Sequence, residues 1–160
     1  MDTTAQHSAS LELFLANEEE AARFGRHLGD HLQAGDTLLL NGPVGAGKSH
    51  LSRAVIRHMV GAEIDVPSPT FTLVQTYEAP AGEIWHADLY RLSDPSEAEE
   101  LGLFEAMEQA IVLIEWPDRL GSDRPSQAIE IFLSYEAEGR RMMLSGPAPM
   151  LARLIGGYQP

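Results

Sequence analysis

The segment Gly42-Pro43-Val44-Gly45-Ala46-Gly47-Lys48-Ser49 carries the clearest chemistry in the chain. It fits Gly-x4-Gly-Lys-Ser, a pattern in which backbone N–H groups cradle phosphates, the lysine reaches the outer phosphates and the hydroxyl ligates Mg²⁺. Glycines at 42, 45 and 47 allow positive φ and let the backbone come close to an anion. A helix starting near Lys48 adds unpaired N–H groups and the positive end of its dipole. Lys48 is the only lysine in the chain and every other Lys/Arg position is arginine, so the motif does not arise from a lysine-rich composition.

Such a loop works only between a strand and a helix, and both are legible. Leu38-Leu39-Leu40 precedes it, and Leu51, Ala54, Val55 and Met59 follow at helical spacing. A second strand is indicated by the continuous apolar run Ala110 to Ile114, which suits the buried centre of a parallel sheet. It ends in Glu115, a carboxylate that burial obliges to find a partner. In phosphate-loop NTPases an acid so placed helps hold Mg²⁺. Glu115 is assigned that role; Asp88, near the end of the strand-like stretch Glu83 to Leu92, is a further metal ligand or orients water. The two assignments are exchangeable. Pro67 and Pro69 stiffen a hydroxyl-rich turn from which Thr70 could reach Mg²⁺ or a terminal phosphate; the plainer alternative is a turn starting a strand from Thr70 to Tyr77. His86 is a weak metal or base candidate and more simply a core-facing strand histidine. His27 and His31 lack a third ligand at suitable spacing and read as helix-surface or half-buried histidines.

These pieces predict one three-layer α/β domain over 11–155, of the phosphate-loop NTPase kind, with tails at 1–10 and 156–160. Its mixed sheet is expected to be parallel at the centre and antiparallel at the C-terminal edge, where Ala128 to Tyr135 and Arg140 to Leu144 form a hairpin. Leu11 to Leu15 reads as a strand and Asn17 as the N-cap of a helix that Gly35 stops. Asp94, Pro95 and Glu97 start a helix whose glutamates, through Glu108, most simply form a solvated face, which could also dock a basic partner. A short helix from Pro147 to Ile155 closes the domain. The formal charge of −13 argues against a direct non-specific grip on nucleic acid or an anionic membrane. With no cysteine and no apolar run of membrane length, a cytoplasmic protein without disulfides is expected.

Four stretches in series, Gly42 to Ser49, Ser68 to Val74, His86 to Leu92 and Ile114 to Pro117, resemble the bacterial TsaE (YjeE) family, nucleotide-binding members of the machinery that makes threonylcarbamoyladenosine in tRNA. The likeness runs from about Leu11 to Arg140. It implies a small ATPase using ATP and Mg²⁺ that binds the TsaB–TsaD heterodimer and resets it between turnovers, while TsaD performs the transfer and tRNA is met only through these partners. By the same likeness Gly42, Val44, Gly45, Ala46, Gly47, Lys48, Ser49, Thr70 and Arg140 contact nucleotide, and adenine lies near Asn17 and Glu18. Lys48, Asp88 and Glu115 are catalytic, and Ser49, Asp88 and Glu115 are linked to Mg²⁺. Ser49 stands where many members have threonine, which keeps the hydroxyl. Arg91, Arg119 and Arg140 are candidates for an arginine finger, but no spacing selects one, so slow hydrolysis that partners accelerate is expected. The rivals are a small-molecule kinase of the shikimate kinase type, a GTPase switch, and a nucleotide-gated adaptor. Absence of a D-x-D pair and of an arginine-rich lid weakens the first, and absence of Asn-Lys-x-Asp weakens the second.

Overall fold

In a computed structural model that describes residues 8–159, strands β2 (Thr37–Asn41) and β5 (Ile111–Glu115) are buried along almost their whole length. Side chains alternate across a strand, so each apolar run feeds two layers. Leu38, Leu40, Ile111 and Leu113 pack with Phe24, Leu28, Leu51, Val55, Ile56 and Leu154 on one face. Leu39, Val112 and Ile114 pack with Ala98, Leu103, Ala106 and Leu120 on the other. The first face is covered by α1 (Glu18–His31), α2 (Lys48–Val60) and, at the C-terminus, α5 (Ala148–Ile155); the second by α3 (Ser96–Glu100), α4 (Leu103–Gln109) and the 3₁₀ segment Pro117–Asp123.

The remaining strands are β1 (Ser8–Leu15), β3 (Val74–Ala79), β4 (Gly82–Asp88), β6 (Ile129–Glu136) and β7 (Gly139–Pro147). They complete one seven-stranded sheet in the order β1-β7-β6-β2-β5-β4-β3. The centre, β6-β2-β5-β4, is parallel, and β3, β7 and β1 are added antiparallel. The expected class is therefore the observed one: three layers around a mixed sheet with a parallel centre and an antiparallel C-terminal hairpin. No helix among the described residues is long and apolar enough to cross a membrane.

Several boundaries move. β1 begins at Ser8, inside the stretch read as a tail, because β7 runs on to Pro147 and pairs with it in register. Residues 1–7 of that expected tail, and Pro160 of the other, lie outside the described residues. The C-terminal hairpin is consequently not the outermost pair, since β1 takes the edge beyond it. Thr70 to Leu73 is a turn and β3 starts only at Val74; Leu73 sits at φ 69° with its N–H on the Pro69 carbonyl at 2.7 Å. The helix after Asp94 is two short helices, broken where Gly102 adopts φ 83°. Its start signal is as read: Asp94 accepts from the Ser96 N–H at 2.9 Å, and Glu97 accepts from those of Ser93 and Asp94. At the C-terminus Tyr158 packs edge-on against Phe24 at 5.1 Å between ring centres, so the segment after α5 folds back over α1.

The phosphate-loop helix α2 is fixed in place by α1. Asn17 caps α1 by accepting the Glu20 N–H at 2.9 Å, and Glu20 reaches back to the Ala16 N–H. Halfway along, a Cβ on Gly25 would fall 2.8 Å from the Ala54 Cβ. Glycine inside an ordinary helix is a cost that substitution relieves; here the opposite sign is expected. Gly25→Val should destabilise the fold by about 1–3 kcal/mol through overpacking, seen as a lower urea midpoint with an unchanged slope. An unchanged midpoint would mean the two helices are free to separate.

Candidate nucleotide site

The loop between β2 and α2 needs its glycines for separate reasons. Gly42, at φ 144°, passes so close to β6 that a Cβ would fall 2.4 Å from the Leu133 carbonyl oxygen. Gly45, at φ 82°, would place one 2.6 Å from the Tyr135 hydroxyl, whereas Gly47, at φ 108°, faces open space. Helix α2 then starts at Lys48 with no side-chain cap and no acid in its first turn, in contrast to α1, which has Glu18, Glu19 and Glu20 there. Its first N–H groups and dipole are left for an anion.

Lys48 is buried. Its Nζ donates to the carbonyls of Gly42 and Pro43 and lies 4.1 Å from the centre of the Trp116 ring. Burial lowers its pKa, opposed by the negative charges of Glu115, Asp88 and Asp118. The next residue, Ser49, donates its hydroxyl to Glu115 Oε1 at 3.0 Å. Glu115 ends β5 only 2% exposed, and its Oε2 lies 2.7 Å from His86 Nε2. Parallel register sets Asp88 beside Glu115 on the neighbouring strand. Asp88 accepts the Tyr90 N–H at 3.0 Å and, at 3.3 Å, the hydroxyl of Thr70, which is itself 3.1 Å from that of Ser68.

These groups face one cleft of about 790 Å³. Asn17, Glu18, Val44 to Ser49, Thr70, Asp88, Glu115 and Arg140 all line it, with Leu15, Ala21, Leu133 and Met142 supplying apolar wall. Gly42 does not; it seats the loop on β6 and accepts Lys48. The Asn17 Oδ1 is occupied by its capping bond, which leaves its Nδ2, the backbone and neighbouring side chains as what that end offers. Among the described residues no three His, Asp or Glu side chains form a metal cage. One hydroxyl and two carboxylates suit Mg²⁺, which takes one or two protein carboxylates and fills the rest of its octahedron with phosphate and water.

Arg140, on the wall of the cleft, also braces the loop. Its Nε donates to the Ala46 carbonyl at 3.2 Å, and its guanidinium lies 4.5 Å from the Tyr135 ring centre. Tyr135 in turn donates its hydroxyl to the Val44 carbonyl at 3.0 Å. The β6–β7 hairpin thus holds the loop by its carbonyls. Arg91 and Arg119 lie over Phe71 and Tyr90 and do not line the cleft. His86 is the core-facing strand histidine that the sequence suggests, whereas Tyr135 and Trp116 carry no site role in the sequence reading. Trp116 takes φ 60°, which swings its indole over Lys48 and within 4.9 Å of Tyr90; only its place directly after Glu115 hinted at this.

Comparison with known proteins agrees with this arrangement. The family model for threonylcarbamoyl adenosine biosynthesis protein TsaE matches residues 15–143. The tRNA threonylcarbamoyladenosine biosynthesis protein TsaE of Rickettsia felis is 40% identical over 130 residues, covering 81% of this chain and 76% of the relative. Its counterpart in Haemophilus influenzae is 31% identical over 155 residues, covering 93% and 98%. The crystal structure of YdiB from Bacillus subtilis superposes with a TM-score of 0.75 at 23% identity over 92% of each chain, which establishes a shared fold. With the family model covering most of the chain and these relatives aligned along nearly all of the domain, the protein belongs to the TsaE family of tRNA threonylcarbamoyladenosine biosynthesis proteins.

Proposed function

We propose that the protein is a Mg²⁺-dependent ATPase that binds the TsaB–TsaD heterodimer and resets it between rounds of threonylcarbamoyladenosine formation. The observation that carries this reading is the convergence of Ser49 with buried Lys48 and buried Glu115 at the mouth of a glycine loop whose helix leaves its first N–H groups uncapped. Phosphoryl transfer asks a protein mainly to position groups and neutralise charge. Lys48 exchanges its loop carbonyls for phosphate oxygens, and their charge offsets the burial that lowers its pKa. Ser49 and Glu115 hold Mg²⁺, which when bound neutralises charge building on the phosphates. The hydrogen bond between those two residues favours Glu115 for the metal and leaves Asp88, tied to Thr70, to orient the attacking water.

Two arginines line the cleft, and no hydrogen bond among the described residues fixes either on the transferring phosphate: Arg140 is engaged on the loop, and Arg53, on α2, has no side-chain partner. Hydrolysis by the isolated protein should therefore fall well below the roughly 1–100 s⁻¹ of kinases. The formal charge of −13 favours contact with tRNA through partners. Phosphate release measured with and without a purified TsaB–TsaD pair tests the reading: a slow basal rate that rises about tenfold or more is expected, by analogy with the large effects of a charge supplied in trans. Fast turnover alone, indifferent to the pair, would overturn the coupling.

A further inference from the structure

Ile84, His86 and Asp88 share one face of β4, beside Ile111, Leu113 and Glu115 of β5. Ile84, Ile111 and Leu113 belong to the apolar core, so His86 is a polar intrusion into an otherwise hydrophobic row. It is completely buried. Its Nε2 has a single partner, Glu115 Oε2 at 2.7 Å, and its Nδ1 has no hydrogen-bond partner among the described residues. A neutral imidazole has one donor and one acceptor nitrogen, and beside a carboxylate oxygen Nε2 must be the donor. Buried polar atoms are nearly always paired, so a histidine kept only for packing is a poor choice where leucine or phenylalanine would fill the space. What the ring supplies that an apolar side chain cannot is a fixed proton donor to Glu115.

We propose that His86 is a positioning residue for ATP hydrolysis, acting through Glu115; the proposal rests on the ATPase reading above. The terminal torsion of a glutamate is broad and weakly restrained. One hydrogen bond leaves the carboxylate free to rotate; two, to opposite oxygens, fix its plane. His86 occupies Oε2 and thereby keeps Oε1 directed at Ser49, where the metal-bound phosphates are expected to lie. The function depends on a bond made before nucleotide arrives, so it is pre-organisation of the site rather than a contact with substrate.

His86→Phe keeps the ring volume and removes the donor, while His86→Gln returns an amide N–H close to the position of Nε2. Each is compared with the unmutated chain for ATP turnover, and for affinity towards a fluorescent ADP analogue with Mg²⁺ and in EDTA. His86→Phe should lower kcat by about ten- to a hundredfold, the scale expected when a catalytic group is slightly misplaced, with KM nearly unchanged. It should also raise the Mg²⁺ concentration needed for tight nucleotide binding, leave the affinity in EDTA alone, and be largely rescued in His86→Gln. In a Glu115→Gln background His86→Phe should cost nothing further. Equal loss of affinity with and without Mg²⁺, a full additional loss in that background, or an unaltered kcat and Mg²⁺ dependence would each overturn the proposal. Should His86→Phe not fold, His86→Gln carries the test, with near-normal kcat and Mg²⁺ dependence expected and a deep loss of either contradicting the role. If the unmutated chain hydrolyses no ATP with or without partners, the ATPase reading fails, and the Mg²⁺-dependent binding of the variants alone decides whether His86 positions Glu115.

Discussion

Lys48→Ala is expected to abolish measurable ATP turnover and to weaken ATP binding by about ten- to a hundredfold, the equivalent of one charge-assisted hydrogen bond to phosphate at roughly 1.5–3 kcal/mol. The loss is specific to the ligand. In the free protein the ammonium is held by the carbonyls of Gly42 and Pro43 in a loop bordering the cleft, and burial of the charge already works against it. Losing those bonds is offset by relieving that desolvation, so thermal stability should change by no more than about 1 kcal/mol. Titration with a fluorescent ATP analogue beside a thermal melt separates the two effects. Retained turnover would remove Lys48 from the site, and a collapsed melt would assign it to the fold.

Glu115→Gln should cut ATP hydrolysis by about a hundred- to a thousandfold, the usual scale for deleting one pre-organised charge from a reacting site. Glutamine is the informative replacement. Alanine would leave the buried His86 Nε2–H without its acceptor, a penalty of about 1–3 kcal/mol that confuses catalysis with stability; glutamine keeps an acceptor and the side-chain volume. Affinity for nucleotide in EDTA should stay within a few-fold, because the loop N–H groups and Lys48 are untouched. The same variant separates an ATPase from a nucleotide-gated adaptor. If threonylcarbamoyladenosine formation with the partners proceeds normally while phosphate release is lost, hydrolysis is incidental.

The parts of this site that lie close together in the chain are legible in the sequence. Gly42 to Ser49 is a local pattern with a fixed mechanical meaning, and Glu115 stood out because an uninterrupted apolar run cannot end in a carboxylate without a reason. His86, Tyr135 and Trp116 were not legible in the same way. The role of His86 exists only through the register that sets β4 against β5, and that of Tyr135 through a hairpin that approaches the loop from 91 residues away. Trp116 depends on one residue adopting a left-handed backbone, which nothing in a tryptophan announces. Arg140 lines the cleft and also braces the loop through the Ala46 carbonyl, a second contact that sequence does not announce. The fold shows the same division. Layering and strand direction followed from hydrophobic runs and turn residues, whereas Ser8 to Ser10 looked like a tail because its strand is stabilised by backbone pairing to β7 and not by its own side chains. Gly102 ends a helix that the glutamate spacing alone would have continued.

The most direct measurement is a crystal structure of the protein with Mg²⁺ and a non-hydrolysable ATP analogue. It should show the Lys48 ammonium moved from the Gly42 and Pro43 carbonyls onto the outer phosphates, with Ser49 and Glu115 on the metal side of the cleft and His86 still bonded to Glu115. A nucleotide bound elsewhere, or bound here with Lys48 unmoved and Glu115 turned away from the metal, would contradict the account.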